Sequence, residues 1–199
     1  MKNLSQAMYS ARDLAMARME TEAEILQADG IVGVRLDANF YEWGKHSAEF
    51  IAIGTAVSAE DNPGSWRANS GKPFTSDLSG QDFWTLVQSG YAPLGMVMGT
   101  CVYHVGHRSA GQVMATTVQN VEVPSFTQSL YEARELAMER MQAEAIHLGA
   151  EGIVGVQLIE KSHFWGSHVI EFFAIGTAVR PLRKDHVIAQ PQMVLVLDT

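Results

Sequence analysis

The side chains in this chain that could bind a metal or move a proton are few, and most sit in two short patterns. Cys101, His104 and His107 form a C-x-x-H-x-x-H run. These are ligand types that zinc and copper accept. On a regular strand a spacing of three puts Cys101 and His104 on opposite faces, so a shared ion needs a break in the strand. Gly106 offers such a break and keeps His104 and His107 in play as a pair. The plainer reading is a buried structural cysteine followed by strand-end histidines. The second pattern, Trp-Gly-x-His, occurs at Trp43–His46 and again at Trp165–His168, with His163 close to the second. A turn accounts for it, since Gly supplies the backbone freedom and Trp covers a sheet edge. The chemical alternative is a rim of histidines, His46 and His168, holding divalent metal at symmetry-related positions.

Glu49 and Glu171 each follow such a histidine by three residues and could join a metal site or act as bases. Exposure at a strand start, or pairing with Arg, is the simpler expectation. Arg12 and Arg134, Arg18 and Arg140, and Glu22 and Glu144 recur along the chain. Arg18–Glu22 and Arg140–Glu144 have the i,i+4 spacing of exposed helix pairs, worth only ~0.3–0.5 kcal/mol each. A solvated helix face is preferred over an Arg-lined anion site. No G-x-S-x-G, Walker A or G-x-G-x-x-G signature is present, and no catalytic residues are assigned. Cys101 has little beyond nearby histidines to lower its pKa.

The recurrences have one cause: the chain repeats itself. Tyr9 to Val57 aligns without a gap on Tyr131 to Val179, each residue shifted by 122 (134 − 12 for the two arginines). Self-similarity at fixed spacing signals structural units that bury faces against one another. Each copy opens with a helix, expected over Gln6–Gln27 and Gln128–Leu148, with Ser5 and Thr127 as N-caps. Ala133, Ala137, Met141, Ala145 and Leu148 form one stripe, as do Ala11, Ala15, Met19, Ala23 and Leu26. Such small residues predict close packing on a sheet. Gly149 suits the helix stop of copy 2, and Gln27 occupies that place less comfortably in copy 1.

After each helix comes GIVGV (Gly30–Val34, Gly152–Val156), read as a strand buried on both faces. A second strand follows at Glu49–Val57 and Glu171–Val179, where Gly54 and Gly176 suggest a bulge or a close approach. A helix on two strands is too little to stand alone. Copy 2 finds its third strand in Tyr91–Val105, after a short helix near Gly80–Ser89 capped by Ser79. Copy 1 has no sequence ahead of its helix for a strand, so Met193–Leu197 is assigned to complete its sheet, in its own chain or in a neighbouring one. The fold class is therefore α+β, two repeats of a helix on a small antiparallel three-stranded sheet. The divisions are 1–57 for repeat 1, 58–78 for a linker in which Trp66 docks on a surface, 79–180 for repeat 2, and 181–199 for the tail.

Composition excludes several classes. Across 199 residues, 47% are hydrophobic and 18% charged, as in an ordered globular protein. A net charge of −8 with scattered basic residues argues against nucleic acid. The single cysteine rules out an intrachain disulfide and suits a reducing compartment. No run approaches the ~20 apolar residues of a membrane span, and the first residues lack a signal-peptide core. A cytoplasmic protein is expected.

The Ala-Arg-x-x-Ala helix, the LGAEGIVGV segment, the closing GTAV and the upstream pair Gly95 and Gly99 resemble the YbjQ-like domain, a family labelled heavy-metal-binding. The likeness covers one near-complete unit from about Gly90 to Val179 and a second, lacking its first strand, from about Ser5 to Val57. It implies a dodecin-like helix on a small sheet and subunits that close into a pentameric ring. The expected function is a non-enzymatic, homo-oligomeric ring, with itself as partner, five or ten chains, and a scaffold or small-ligand role. No cofactor is assigned. The alternative is a metal-binding or metal-sensing protein that takes Zn or Cu at Cys101, His104, His107, His46 or His168.

Overall fold

The computed structural model describes residues 2–41, 47–68, 71–104, 124–162 and 169–184. Copy 1 contains helix α1 (Lys2–Ile25) and strands β1 (Gly30–Tyr41) and β2 (Ser47–Val57). The connecting segment adds β3 (Phe74–Thr75) and α2 (Gly80–Gln88). Copy 2 contains β4 (Tyr91–His104), helix α3 (Pro124–His147), β5 (Gly152–Ser162) and β6 (Val169–Pro181). The long helices are those the repeat predicts. They begin four residues earlier than expected, so Ser5 and Thr127 lie inside the first turn rather than at an N-cap. Both helices stop through a left-handed residue, Gly149 at φ 71° in copy 2 and Gln27 at φ 56° in copy 1. Copy 1 thus makes the same turn with a side chain that finds it less favourable.

Each copy holds an antiparallel hairpin, β1 with β2 and β5 with β6. The register skips between Val32 and Arg35, and again between Val154 and Gln157. The bulges are therefore at Gly33 and Gly155, both at positive φ, on the strand facing Gly54 and Gly176. Gly54 and Gly176 meet the other expectation, close approach. A Cβ on them would lie 2.4 and 2.8 Å from the Cγ2 atoms of Ile31 and Ile153.

Third strands differ between the copies. Sheet 2 runs β4-β6-β5, with β4 antiparallel to β6 as expected. Sheet 1 runs β2-β1-β3, and β3 pairs parallel to β1 at Gly30–Phe74 and Ile31–Thr75. The expected all-antiparallel sheet is corrected here. The segment read as linker continues past β3 along the bulge, with Ser76 and Leu78 carbonyls accepting from Val34 and Gly33. Beside the outer edge of β2, where β4 lies in copy 2, no strand is placed among the described residues. Met193–Leu197, assigned to that slot, falls outside the described residues.

Helix α3 covers one face of sheet 2 through Ala133, Ala137, Met141 and Ala145, which meet Val97, Cys101, Phe172 and Ala174. Leu148 departs from the predicted stripe and is exposed. Helix α1 serves two sheets. Met19 lies against Gly54 of its own sheet, and Met16, Met19 and Ala23 share a core with Met96, Met98, Phe173 and Ile175 of sheet 2. Strands β4 and β6 of sheet 2 are thus enclosed on both faces, while β2 of sheet 1 is covered on one. The expectation that GIVGV is buried on both faces holds for Ile31, Val32 and Val34 but fails in copy 2, where Val156 is exposed.

Candidate functional site

The seam between the copies gathers the polar side chains that the sequence had assigned to solvent. Arg12 is 1% exposed, its guanidinium 4.7 Å from the ring centres of both Tyr9 and Phe173. That stacking is a favourable contact for a weakly hydrated cation. Burial pulls its pKa below the usual arginine value, and the nearby Tyr9 and the carboxylates Glu171, Glu144 and Asp13 pull it back. Nε and Nη1 find no hydrogen-bond partner in the described structure. Arg134, its repeat mate, is exposed, as the sequence reading had both.

Thr100 organises the other side of the seam. Its hydroxyl donates to Glu171 Oε1 at 2.6 Å, and Glu171 is buried rather than exposed at the strand start. Glu49, the mate of Glu171, does remain exposed. The outward edge of β4 is occupied by side chains. The amide of Met96 donates to Thr75 Oγ1 at 3.0 Å, that of Met98 to Glu144 Oε2 at 2.8 Å, and that of Thr100 to Tyr9 Oη at 2.8 Å. Arg140 Nη1 donates to the Thr100 carbonyl. An uncovered edge strand is a template for pairing, and these contacts block it. Arg140 and Glu144 therefore serve the strand edge, whereas their mates Arg18 and Glu22 are exposed.

A third polar group sits where the connecting segment crosses sheet 2. Thr177 Oγ1 lies 2.9 Å from Ser76 Oγ and donates to Asp77 Oδ1 at 2.6 Å. Burial raises the pKa of Asp77, against the hydrogen bonds from Thr177, its own backbone and Gln157. Burial likewise raises Glu144, against the bond from Met98 N and the charge of Arg12. No substrate-sized constellation follows from these groups. The hollow of about 480 Å³ lined by Met96, Val97, Ala143, Glu144, His147 and Leu148 contains two ionisable side chains, one of them already bonded to β4.

Of the metal candidates, Cys101 is buried against α3 as a reduced thiol. Burial raises its pKa, with Arg140 opposing and Glu171 adding to the rise. Strand β4 pairs without a register shift from Gly95 to His104. The break that would let Cys101 and His104 share an ion is therefore not between them. His46, His107, His163 and His168 lie outside the described residues. Among the described residues no group of three or more His, Cys, Asp or Glu is arranged to hold a metal. No described helix is long and apolar enough to cross a membrane.

The chain is 47% identical over 196 residues to an encapsulin nanocompartment protein of Mycobacterium tuberculosis, covering 98% of this chain and 74% of that one. A UPF0145 protein of Pseudothermotoga lettingae is 39% identical over 89 residues, 44% of this chain and 80% of its own length. Another from Thermotoga maritima is 36% identical over 89 residues, again 44% and 80%. The profile of the YbjQ family, described as "Putative heavy-metal-binding", matches residues 1–60 and 89–181. With both repeats matched and the helix, bulged hairpin and flanking strand in place, this chain belongs to the YbjQ family.

Proposed function

We propose that this protein works by self-assembly rather than catalysis, as a ring-forming building unit. One observation carries the reading. On the face of each sheet turned away from its own helix, Phe173 and Ile175 of copy 2 are 9% and 6% exposed, whereas their mates Ile51 and Ile53 are 36% and 60% exposed. The sequence repeats an interface-forming surface, and one of the two examples lacks its cover. Apolar surface of this kind marks an association site, and identical chains normally close into rings. The relative in an encapsulin nanocompartment supports a role among assembled particles, and we extend that setting to this chain.

The test is mass in native buffer. Five chains of 21.8 kDa give a closed particle of about 109 kDa, the fivefold ring the family resemblance implies, and ten chains give twice that. A stable monomer across the concentration range sinks the reading. The second reading, heavy-metal binding through histidines and Cys101, rests on the family description. Metal analysis of untagged protein tests it, since stoichiometric Zn or Cu lost in His104→Ala, His107→Ala would establish it.

A further inference from the structure

The seam between copy 1 and copy 2 is a template for a contact between chains. At this seam α1 lies on sheet 2, with Arg12 over Phe173 and Met16 in the core shared with Ile175 and Met98. Every partner in that contact except β4 has a repeat mate. On the helix side the mates of Tyr9 and Arg12 are Tyr131, 56% exposed, and Arg134, also exposed. On the sheet side the mates of Phe173 and Ile175 are the exposed Ile51 and Ile53. Each chain therefore carries an exposed helix face at one end and an exposed sheet face at the other, the repeat mates of two faces that meet within the chain. Resting on the self-assembly reading, we infer that the Tyr131–Arg134 face of α3 docks on the Ile51–Ile53 face of the next chain, head to tail.

Three features fit this occupant. The two faces are different, so the contact is heterologous and adds chains until the rotation closes. Arg134 meets Ile51 as Arg12 meets Phe173, bringing it near Glu49, the mate of Glu171, as Arg12 is near Glu171. The contact also explains why apolar residues stand on a surface that one chain leaves bare, copy 1 having Ile51 and Ile53 where copy 2 buries Phe173 and Ile175. The two contacts also differ: Ile51 offers Arg134 no ring where Phe173 stacks Arg12, Met138 is partly packed on its own sheet where Met16 reaches across, and the new contact is narrower. Tyr9 reaches β4 through the Thr100 amide, and sheet 1 presents no strand there among the described residues. Copies then alternate around the ring, two to a chain, rather than forming separate layers.

The experiment uses two full-length variants, one blocked at each end. Ile53→Asp disables the sheet face, and Tyr131→Asp with Arg134→Glu disables the helix face. Urea unfolding of each variant monitors the fold, and sedimentation reads mass from ~1 to ~200 µM. Each variant alone should be monomeric, and an equimolar mixture should stop at a dimer of one chain of each kind, twice 21.8 kDa. Only a head-to-tail contact gives that result, because one live face of each kind remains in the mixture. Retention of wild-type mass by either variant overturns the inference and leaves self-assembly through another surface standing. A mixture that stays monomeric overturns it as well. A wild-type chain that is monomeric throughout removes the self-assembly reading beneath it. If either variant loses its unfolding transition, Ile53→Ser and Arg134→Ser replace it and are held to the same outcomes.

Discussion

Gly99 is where one methyl group should do most damage. Strand β4 lies so close under α3 that a Cβ at this position would sit 1.9 Å from the Ala137 carbonyl oxygen, 2.7 Å from Met141 N and 3.0 Å from the Ala137 carbonyl carbon. All three are backbone atoms, so no side chain can rotate away. The methyl also enters the helical hydrogen bond that joins Met141 N to Ala137 O. Bringing carbon and oxygen to a tolerable ~3.3 Å requires helix and strand to part by roughly 1.4 Å. Ala133, Ala137, Met141 and Ala145 are all 5% exposed or less and would be lifted together. A gap of that size forfeits about half of their dispersion contacts. Overpacking of this kind costs ~1–3 kcal/mol, and a rigid backbone clash belongs at or above the top of that range. Gly99→Ala should lose ~3 kcal/mol, a fall of ~1.5 M in the urea midpoint at a slope of ~2 kcal/mol/M. Gly33→Ala is the control, since nothing lies within 4 Å and only its φ of 63° penalises a side chain. That should cost ~1–2 kcal/mol. Both are measured at one chain concentration, because assembly would make the midpoint concentration-dependent. If Gly99→Ala falls within ~0.5 kcal/mol of wild type, the helix is not seated as described.

Burial raises the pKa of both Asp77 and Glu144, so the native state holds their protons to higher pH than the unfolded chain does. They therefore favour folding below the unfolded carboxylate value and lose that contribution as pH rises through the folded one. Asp77→Asn with Glu144→Gln should flatten the decline in stability as pH rises above the ordinary carboxylate range of about 4, and an unchanged urea-midpoint profile would contradict the assignment. Cys101, buried and with its pKa raised, should react with a thiol reagent at neutral pH only as fast as the chain opens. Fast labelling of the folded protein would show that the thiol is reachable. Deleting residues 192–199 should destabilise copy 1 or dissolve the assembly if the tail completes sheet 1, whereas unchanged melting temperature and mass would assign it elsewhere.

What the sequence made legible was whatever both copies share. The ungapped repeat located both helices and both hairpins, and the apolar run Tyr91–Val105 located β4 without a mate, because apolar period and turn residues act locally. The family resemblance marked Gly95 and Gly99, although only the packed structure shows that Gly99 leaves room for a helix backbone. What it could not separate were mates with one chemistry and two surroundings. Arg12 and Arg134 read alike, yet one is enclosed between two rings and the other is exposed. Glu171 and Glu49 read alike, yet one is buried under the Thr100 hydroxyl. The sequence signal available was the pairing itself: an Arg repeated on an apolar helix face has to be explained at both of its positions. The β3 pairing was hidden for a different reason. Two residues, Phe74 and Thr75, in a segment rich in Gly, Ser and Pro carry no period; they are held where Phe74 N donates to the Asp29 carbonyl and Ser76 N to the Ile31 carbonyl, ahead of the bulge at Gly33.

Duplication lets the two mates take separate tasks, and the strand edges show it. In copy 2, Glu144, Arg140, Tyr9 and Thr75 occupy the outward groups of β4, which closes that edge to any further strand. In copy 1, Glu22 and Arg18 keep the same places on the helix and remain exposed. Here copy 2 is capped and enclosed, while copy 1 keeps the sheet face carrying Ile51 and Ile53. The burial difference between Ile53 and Ile175 follows from that division. It predicts opposite outcomes for the same substitution: Ile175→Asp should prevent folding, because it places a carboxylate in a dry core. Ile53→Asp should leave the urea transition within ~0.5 kcal/mol of the Tyr131→Asp, Arg134→Glu chain, which shares its monomeric state. If the two substitutions destabilise the chain equally, the copies do not differ in solution and the proposed division of tasks is wrong.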